Sequence, residues 1–558
     1  MSIKLHAMMG VSTLAAIAAF GGVAQAQING GGSSLVAPYH RQVADCYGVD
    51  RPLYARGTPP TPINTSAPYT PYIQPFAGCP TALSTSNTVE YISTGSGTGI
   101  AAVYSHDPLR YGDVDPAAGT QNYPSVQYGL SETALSNADV TTYNSGGVIQ
   151  GVTLTASPSG ANQYPIPEPL YGKLVQFPVA VAPVALAYDP VYKKVADASG
   201  AVTSYRFAVN AAFARANGGL RLSQATYCKI LNGQITDWND AAITADNGGV
   251  SLKDPADAAA FSVPIELVGR SDSSGTTQVT TRHLAAACGS LAGNAFTAAA
   301  GTSTLPPALI GNAVGGAPIS GKFTVASGTN GSATYLGFTA TPAASTSLTQ
   351  GRLGYLGADY TLPNSSNNSL PYALFTADLQ NGAGAYRAPT AANATTAFGA
   401  NRPPETVTGA SGDYDPTVTA WGVRSNPADW TRVGNLANPT PAQAYPIVAT
   451  VNWIGYTCYA AGNVDVIRTA PTGSPVGYLN YWFDDAIVDT SSPNILANAG
   501  LAGLPPAWQA AIKNTFLTPT TAGTYPTAPL NLGIATAGTG LTGTSGVTNS
   551  TCGSKVGA

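Results

Sequence analysis

The stretch Arg270-Ser271-Asp272-Ser273-Ser274-Gly275-Thr276-Thr277 places a guanidinium and several hydroxyls just ahead of a predicted helix. Glycine lets the backbone approach a ligand closely, and the first turn of a helix offers unpaired N–H donors to an anion. Arg270 would add a positive charge and a planar fork suited to an oxyanion, and Asp272 is spaced to hold that fork. The stretch therefore predicts an oxyanion site at the beginning of a helix.

Two earlier segments have the same chemical character, with small residues and hydroxyls ahead of a possible helix. They are Gly30-Gly31-Gly32-Ser33-Ser34-Leu35 and Gly95-Ser96-Gly97-Thr98-Gly99. A single Gly/Ser turn before a helix is usually only an N-terminal cap. Three such clusters in one chain indicate an anion site, although they do not name the anion.

The composition indicates a globular, loop-rich protein with few charged groups. Charged residues make up 9% of the 558-residue chain, against about 25% in a typical soluble protein. The formal net charge of −4 argues against nucleic acid as a partner, because non-specific binding to nucleic acid needs a basic surface. At roughly 100–200 residues per domain, the length allows more than one domain.

The first 26 residues have the pattern of a secretory signal. Lys4 supplies the positive start, 11–20 is apolar, and Ala24-Gln25-Ala26 forms an A-x-A cleavage site before Gln27. The apolar stretch is too short to span a bilayer, and no later one approaches the ~20 apolar residues that a span needs. No cysteine directly follows the cleavage site to carry a lipid. We therefore expect export to the periplasm or the extracellular space, without a membrane span.

All six cysteines lie beyond the cleavage site. An even number of cysteines in an oxidising compartment predicts disulfides, and six cysteines allow about fifteen pairings. The spacings contain no C-x-x-C, which argues against a zinc or thioredoxin-like site. Sequence order does not determine the connectivity, but we expect neighbours to pair as structural disulfides. The expected pairs are Cys46–Cys79, Cys228–Cys288 and Cys458–Cys552.

Short apolar strand-like runs alternate with helix-like segments, which predicts an α/β architecture. The strand candidates are 89–92, 174–181, 265–268 and 353–356, and the helix candidates are 277–287, 478–486 and 506–516. Long stretches rich in Gly, Ser, Thr, Asn and Pro exceed ordinary loop lengths, so we expect loop-rich surface insertions there, some of them carrying small strands of their own. These stretches are 48–87, 141–169, 297–350, 364–443 and 517–558.

Several motifs resemble the DING branch of the PstS-like phosphate-binding proteins, which are solute-binding proteins of ABC phosphate transporters. Gln27-Ile28-Asn29-Gly30-Gly31-Gly32 resembles the mature start of the DING proteins, and 91–97 resembles the second phosphate loop of the family. The run 222–240 resembles a characteristic family signature. Residues 270–277 match the R-x-D-x-S-G-T-T loop, and 351–355 match a later G-x-x-G-Y strand. The order and spacing of these motifs make the resemblance specific.

The resemblance implies a two-lobed α/β periplasmic-binding-protein-like fold of type II that closes over one phosphate. It places lobe one at 27–177 plus 445–558 and lobe two at 178–444. By position in the motifs, it implies phosphate contacts from both lobes, with Asp272 in support. The implied contacts are Ser34, Leu35 N–H and Ser96 from lobe one, and Arg270, Ser274, Gly275 N–H and Thr276 from lobe two.

One further role falls on Glu132 by resemblance, because Tyr128-Gly129-Leu130-Ser131-Glu132 lies where the family has a Gly-x-Ser-Asp strand end. There the carboxylate accepts a hydrogen that phosphate carries and sulfate lacks, which gives discrimination on the order of 10⁴-fold in well-built sites. Glu is longer than Asp by one methylene, a shift of about one ångström. Either the backbone compensates, or affinity, oxyanion preference or binding itself is altered. The other interpretation of Glu132 is an ordinary surface carboxylate.

Three classes of function are compatible with these observations. The first is a monomeric, exported binding protein without catalysis, cofactor or metal, whose partners are inorganic phosphate and an ABC transporter permease. The second is an extracellular surface or matrix protein on the same fold with weak or no phosphate binding, which the sparse charge and hydroxyl-rich stretches favour. The third is a phosphatase. His40, His106 and His283 are scattered, and no H-E-x-x-H or G-x-S-x-G motif occurs, which argues against it.

Overall fold

The computed structural model describes a chain with several interruptions. The described residues are 27–47, 49–50, 88–111, 125–289, 323–337, 347–367, 370–399, 401–405, 420–431, 436–460, 477–483, 495–517, 533–535, 541–542, 548–549, 552 and 555–558. The predicted signal 1–26 and Cys79 lie outside the described residues.

The strands alternate with helices along the chain, as the sequence predicts. The strands are β1 Gln27–Gly32, β2 Val49–Asp50, β3 Thr88–Ser93, β4 Tyr128–Ser131, β5 Gly147–Ile149, β6 Val152–Thr155, β7 Gln163–Pro165, β8 Leu174–Tyr188, β9 Val191–Ala196, β10 Val202–Arg206, β11 Gly218–Leu222, β12 Ile265–Arg270, β13 Phe323–Ala326, β14 Leu348–Thr349, β15 Gly351–Gly357, β16 Phe375–Gln380, β17 Tyr386–Arg387, β18 Val448–Tyr456, β19 Cys458–Ala460, β20 Gly533–Ala535, β21 Leu541–Thr542 and β22 Thr548–Asn549. The four strand candidates lie within β3, β8, β12 and β15 and are confirmed.

The helices are short, and most of them flank the strands. They are α1 Ala37–Tyr47, α2 Ser96–Ser105, α3 Asn137–Ser145, α4 Glu168–Tyr171, α5 Gln224–Leu231, α6 Ala241–Asp246, α7 Gly275–Cys288, α8 Gly328–Leu336, α9 Asn364–Asn367, α10 Ala391–Phe398, α11 Tyr478–Tyr481, α12 Ile495–Asn498 and α13 Pro506–Ile512. Short 3₁₀ turns form at Pro108–Tyr111, Ala358–Tyr360 and Pro427–Trp430, and a π turn, Lys513–Leu517, extends α13. None of the helices in the described ranges has the length and hydrophobicity to cross a lipid bilayer.

One large sheet organises the protein, with the strand order β13-β12-β15-β8-β18-β4-β1-β3-β2. At one end β1 runs parallel to β3 and β4, and at the other end β12 runs parallel to β13 and β15. Strand β8 joins the two groups, because 174–183 pair with β18 and 184–188 pair with β15. All 15 residues of β8 are buried, as expected for an apolar strand covered on both faces. The predicted lobe boundary at 177 falls inside this strand, and the lobe limits stay a prediction.

The prediction of surface insertions is wrong for parts of the Gly/Ser/Thr-rich stretches. Within 297–350, strand β13 pairs with β12 of the main sheet, and α8 buries Leu336 completely. Within 364–443, strand β16 pairs with β8 and β11. Within 141–169, by contrast, strands β5 to β7 form a small separate sheet, as expected. Small and hydroxyl residues resemble loop composition, but here β13 and β16 pair with strands of the main sheet.

Two of the three expected disulfides are present among the described residues. Cys228 pairs with Cys288, and Cys458 pairs with Cys552, each with a Cα–Cα distance of 5.7 Å. The first disulfide links the end of α7 to α5. The second links β19 to the C-terminal residues, and Ala558 accepts a hydrogen bond from Ala460 N–H at 2.8 Å. Cys46 is also disulfide-bonded, while its expected partner Cys79 lies outside the described residues.

Candidate anion-binding site

The candidate site lies where the carboxyl ends of parallel strands from both groups meet. Ser34 follows β1, Ser96 follows β3, and Glu132 follows β4 directly. From the other group, Arg270 ends β12 and Thr329 follows β13. Ligands in open α/β sheets bind outside the carboxyl ends of the strands, where loops and helix N-termini converge. The topology therefore brings the three sequence clusters to one place.

Arg270 is held in a fixed orientation by the loop that follows it. Its Nε donates to Asp272 Oδ1 at 2.7 Å and its Nη2 donates to Asp272 Oδ2 at 2.5 Å, and its side chain is almost completely buried. Gly328 N–H donates to the same Oδ1 at 2.9 Å. Burial alone would raise the pKa of Asp272, but the charge and hydrogen bonds of Arg270 outweigh it, so the pKa is lowered. Asp272 therefore stays ionised and fixes the guanidinium.

The guanidinium reaches across to the opposite group of strands. Arg270 Nη2 donates to Ser34 Oγ at 2.8 Å, and Nη1 donates to Thr329 Oγ1 at 3.2 Å. Thr329 N–H also donates to Ser34 Oγ, at 3.1 Å. A second contact joins the two groups, because Gly97 N–H donates to Ser273 O at 3.0 Å. These bonds hold the two sides of the site together.

Two helix N-termini face this place, as the sequence predicts. Ser274 caps α7, since its Oγ accepts from Thr277 N–H at 3.2 Å, and the following residues Gly275 and Thr276 are buried. Helix α2 begins at Ser96, which is also buried. The main-chain N–H groups of the first turn of a helix have no partner within the helix and favour negative charge. The two helices therefore add anion-directed donors beside Arg270.

Glu132 is a buried carboxylate within the site, not a surface group. It is 1% exposed and accepts hydrogen bonds from Ser33 Oγ and, at 2.5 Å, from Ser96 Oγ. A Cβ placed on Gly275 would lie 2.7 Å from Glu132 Oε2, so the carboxylate faces the first residue of α7. Burial raises the pKa of Glu132, although the two serine hydroxyls and the charge of Arg270 oppose this shift.

A second buried carboxyl, Asp359, lies next to the site in the turn after β15. It is completely buried, and neither of its oxygens has a hydrogen-bond partner with good geometry among the described residues. Burial raises its pKa well above the usual range, and the charge of Glu132 adds to the rise, while nearby main-chain N–H groups oppose it. A Cβ on Gly357 would contact both Asp359 Oδ1 and, at 3.0 Å, Leu35 O. Asp359 therefore lies against the Ser34–Leu35 side of the site.

The raised pKa of Asp359 predicts a pH-dependent stability that an amide would remove. Because the folded pKa exceeds the unfolded one, the contribution of Asp359 to stability is complete below the unfolded value near 4 and is lost as the pH rises towards the folded value. The loss approaches about 1.4 kcal/mol per pH unit within that window. Thermal unfolding measures the melting temperature. As the pH rises from 5 to 8, we expect the melting temperature of Asp359→Asn to increase relative to that of the wild type.

The matched control for this prediction is Asp197→Asn at an exposed turn. The pKa of Asp197 is lowered by the Ser199 hydroxyl and by main-chain N–H groups, so this variant should show a small effect of opposite sign. Identical pH slopes for Asp359→Asn and the wild type would contradict a protonated Asp359 in the folded protein.

Three residues of the site have roles that the sequence analysis did not assign. Ser33 bonds Glu132, Thr329 bonds Arg270, and Asp359 contributes a second carboxyl. Thr329 had a usable signal, because Ser327-Gly328-Thr329-Asn330-Gly331-Ser332 has the composition of the three other clusters. Ser33 lies within the predicted cluster at 30–35, but only the geometry distinguishes its role from that of Ser34. No sequence motif marks Asp359, because what distinguishes it is complete burial of its carboxyl group.

Residues 21–415 match the sequence profile described as the PBP superfamily domain. The chain belongs to the PBP superfamily. This PBP-superfamily chain is 26% identical over 431 residues to "Alkaline phosphatase L" of Pseudomonas aeruginosa (strain UCBPP-PA14), covering 77% of the chain and 83% of the relative. It is 25% identical over 441 residues to a "Phosphate-binding protein" of an unknown prokaryotic organism, covering 77% and 88%.

Solved structures share the fold of this PBP-superfamily chain. A high-affinity periplasmic phosphate-binding protein, PfluDING, bound with phosphate, is 23% identical with a TM-score of 0.50, covering 91% of this chain and 96% of that one. The ancestral soluble variant of the human phosphate-binding protein is 23% identical with a TM-score of 0.52, covering 91% and 97%. The predicted two-lobed type II fold and the resemblance to PstS-like proteins of the DING type are confirmed.

Proposed function

We propose that this protein binds inorganic phosphate between its two lobes, without catalysis. The observation that carries the proposal is the buried Arg270 guanidinium, which Asp272 fixes and which points at Ser34 across the site. A buried guanidinium beside helix N-termini and serine hydroxyls forms charge-assisted bonds with an oxyanion. Sequence relatives and structural neighbours whose names state that they bind phosphate support the same ligand.

The Glu132 carboxylate favours an oxyanion that carries a hydrogen. Glu132 is buried in the site, and the hydroxyls of Ser33 and Ser96 and the charge of Arg270 oppose the rise in its pKa that burial causes. A carboxylate accepts a hydrogen bond from hydrogen phosphate, whereas sulfate at neutral pH has no hydrogen to donate and is repelled. We assign the acceptor role to Glu132, with phosphate oxygens facing Arg270, Ser34, Leu35 N–H, Ser96, Ser274, Gly275 N–H and Thr276.

We further propose that the protein acts outside the cytoplasm and delivers phosphate to an ABC transporter. The two disulfides among the described residues support an oxidising compartment. The relative PfluDING is described as periplasmic. Delivery to a transporter is inferred from the family resemblance.

A phosphatase is the second candidate, since relatives such as the Pseudomonas aeruginosa protein are named "Alkaline phosphatase L". The three described histidines have structural surroundings: His40 contacts Tyr128 OH at 2.7 Å, and His283 contacts Tyr227 OH at 2.9 Å. Burial lowers the pKa of His106 and of His283 to about 4. Among the described residues, no group of three His, Cys, Asp or Glu side chains is arranged to hold a metal ion. These observations favour binding over hydrolysis.

The test is calorimetric titration of the protein with phosphate and with sulfate, after unfolding and refolding to remove any carried ligand. We expect micromolar or tighter phosphate binding and at least a 100-fold weaker response to sulfate. Absence of heat with both anions would reject phosphate capture and favour a surface or matrix role. The same preparation is also incubated with a chromogenic phosphate ester. Product release that Arg270→Ala abolishes would show that the protein is a phosphatase.

A further inference from the structure

A small cavity adjoins Glu132, and neither Ser33 nor Ser96 is among the described residues that line it. Glu132 lines it together with Val279 and Arg282 of α7 and Thr450 of β18. Its volume of about 10 Å³ has room for one water molecule. An oxygen atom of a carboxylate is of similar size, so the cavity can receive one oxygen of a rotated Glu132 side chain.

Arg282 is the one charged group besides Glu132 on the described wall of this cavity. It lies seven residues after Gly275, or about two helical turns, on the same helix that faces Glu132 at its first residue. Its side chain is partly buried, and burial lowers its pKa. No described carboxylate or carbonyl pairs with it. A partly buried guanidinium has five donors to satisfy, so a carboxylate is a fitting partner.

Glu132, by contrast, occupies the Ser96 hydroxyl, a donor that the proposed ligand needs. Its two oxygens take the hydroxyls of Ser33 and Ser96, and one of them faces the start of α7 at Gly275. These are the donor types that bind an oxyanion at a helix N-terminus. A carboxylate held there behaves as a tethered anion, and an incoming anion must replace it.

We propose that phosphate displaces the Glu132 carboxylate from Ser33 and Ser96, and that Arg282 receives the displaced carboxylate through the adjoining small cavity. Arg282 is then a positioning residue for phosphate binding. In the displaced position one carboxylate oxygen faces Arg282, and the other remains beside the phosphate to accept its hydrogen. This inference rests on the proposed function, since it assigns a second position to the proposed acceptor.

The test is a double-mutant cycle between Arg282 and Glu132, read by calorimetric titration with inorganic phosphate. Arg282→Met is expected to weaken phosphate binding at least tenfold, because the displaced carboxylate loses its partner. In the Glu132→Gln background the same change should alter the dissociation constant less than twofold, because no charge is displaced. Arg282→Lys should stay within about threefold of the wild type. Arg206→Met, which removes an exposed arginine, should leave the affinity unchanged.

The number of protons taken up or released on phosphate binding is a second measurement. A purely structural role of Arg282 would leave this number unchanged. The charged and titratable groups that act on Glu132 are Arg270, Asp359 and Tyr91, and all three are retained in Arg282→Met. Without Arg282, the displaced Glu132 must take up a proton. Titrations in two buffers of different ionisation enthalpy should therefore show about one additional proton bound per phosphate near pH 7.

The outcomes separate this inference from the proposed function. If the wild type binds phosphate and Arg282→Met stays within twofold, or weakens binding equally in both backgrounds, the inference is overturned while phosphate binding stands. If neither the wild type nor any variant binds phosphate, both fail. If Arg282→Met does not fold, the double-mutant cycle is run with Arg282→Gln. In that case, Arg282→Lys still supports the proposal if it takes up the same number of protons on phosphate binding as the wild type.

Discussion

Arg270→Ala is expected to abolish phosphate binding, raising the dissociation constant by about 1,000-fold or more. Removing one partner of a buried, hydrogen-bonded charge pair costs about 2–5 kcal/mol, and 4.1 kcal/mol corresponds to 1,000-fold. The guanidinium is nearly inaccessible and bonds Ser34, Thr329 and Asp272, so water cannot easily replace it. The variant also leaves Asp272 without its cation, and its melting temperature should fall. Calorimetric titration of refolded protein measures the affinity.

Two variants separate the charge of Arg270 from its shape. Arg270→Lys keeps the positive charge but loses the planar fork, so we expect an intermediate loss of about 10- to 100-fold. Arg352→Ala removes an arginine that forms a separate ion pair with Glu266, at 3.0 Å. This control variant should bind phosphate like the wild type. Unaltered affinity in folded Arg270→Ala would remove Arg270 from the site.

The main features of the site could be predicted because they follow from local rules. Arg270, Asp272 and Ser274 lie within eight consecutive residues, and a Gly/hydroxyl run before a helix directs donors towards an anion. The parallel pairing of β1 with β3 and β4 then places Ser34, Ser96 and Glu132 at one edge of the sheet. The local patterns predicted the anion-directed clusters, and the family resemblance supplied the expectation that Ser34, Ser96 and Glu132 share one site.

The remaining features depend on packing between segments that are distant in sequence. The Glu132 side chain bonds Ser33, which lies 99 positions away, and no propensity or spacing rule predicts that choice. Asp359 is distinguished only by burial without a partner. The hydroxyl-rich run at 327–332 has a loop-like composition, yet α8 begins there, where Asp272 Oδ1 accepts from Gly328 N–H and Thr329 bonds Arg270 and Ser34. Long-range geometry decides each of these cases.

Gly275→Ala is expected to weaken phosphate binding about 5- to 150-fold while the helix remains intact. An added Cβ would lie 2.7 Å from Glu132 Oε2 and from Ser96 Oγ, which is closer than these atoms approach a methyl group. Overpacking of a well-packed site typically costs about 1–3 kcal/mol, and this range corresponds to about 5- to 150-fold in affinity. The backbone itself accepts alanine, since Gly275 begins α7 without a positive φ. Titration with phosphate measures the loss, and circular dichroism checks the helix content.

Gly331→Ala is the matched control, because it makes the same chemical change inside α8. There the added Cβ would lie 3.7 Å from the Ala326 side chain, an ordinary contact, and alanine stabilises a helix interior by about 0.5–1 kcal/mol relative to glycine. We expect wild-type affinity and an equal or higher melting temperature. If Gly275→Ala also binds phosphate within threefold of the wild type, the anion does not approach the first residue of α7. The site would then centre on Arg270 and Ser34 alone, with Glu132 retaining its two serine hydroxyls while phosphate is bound.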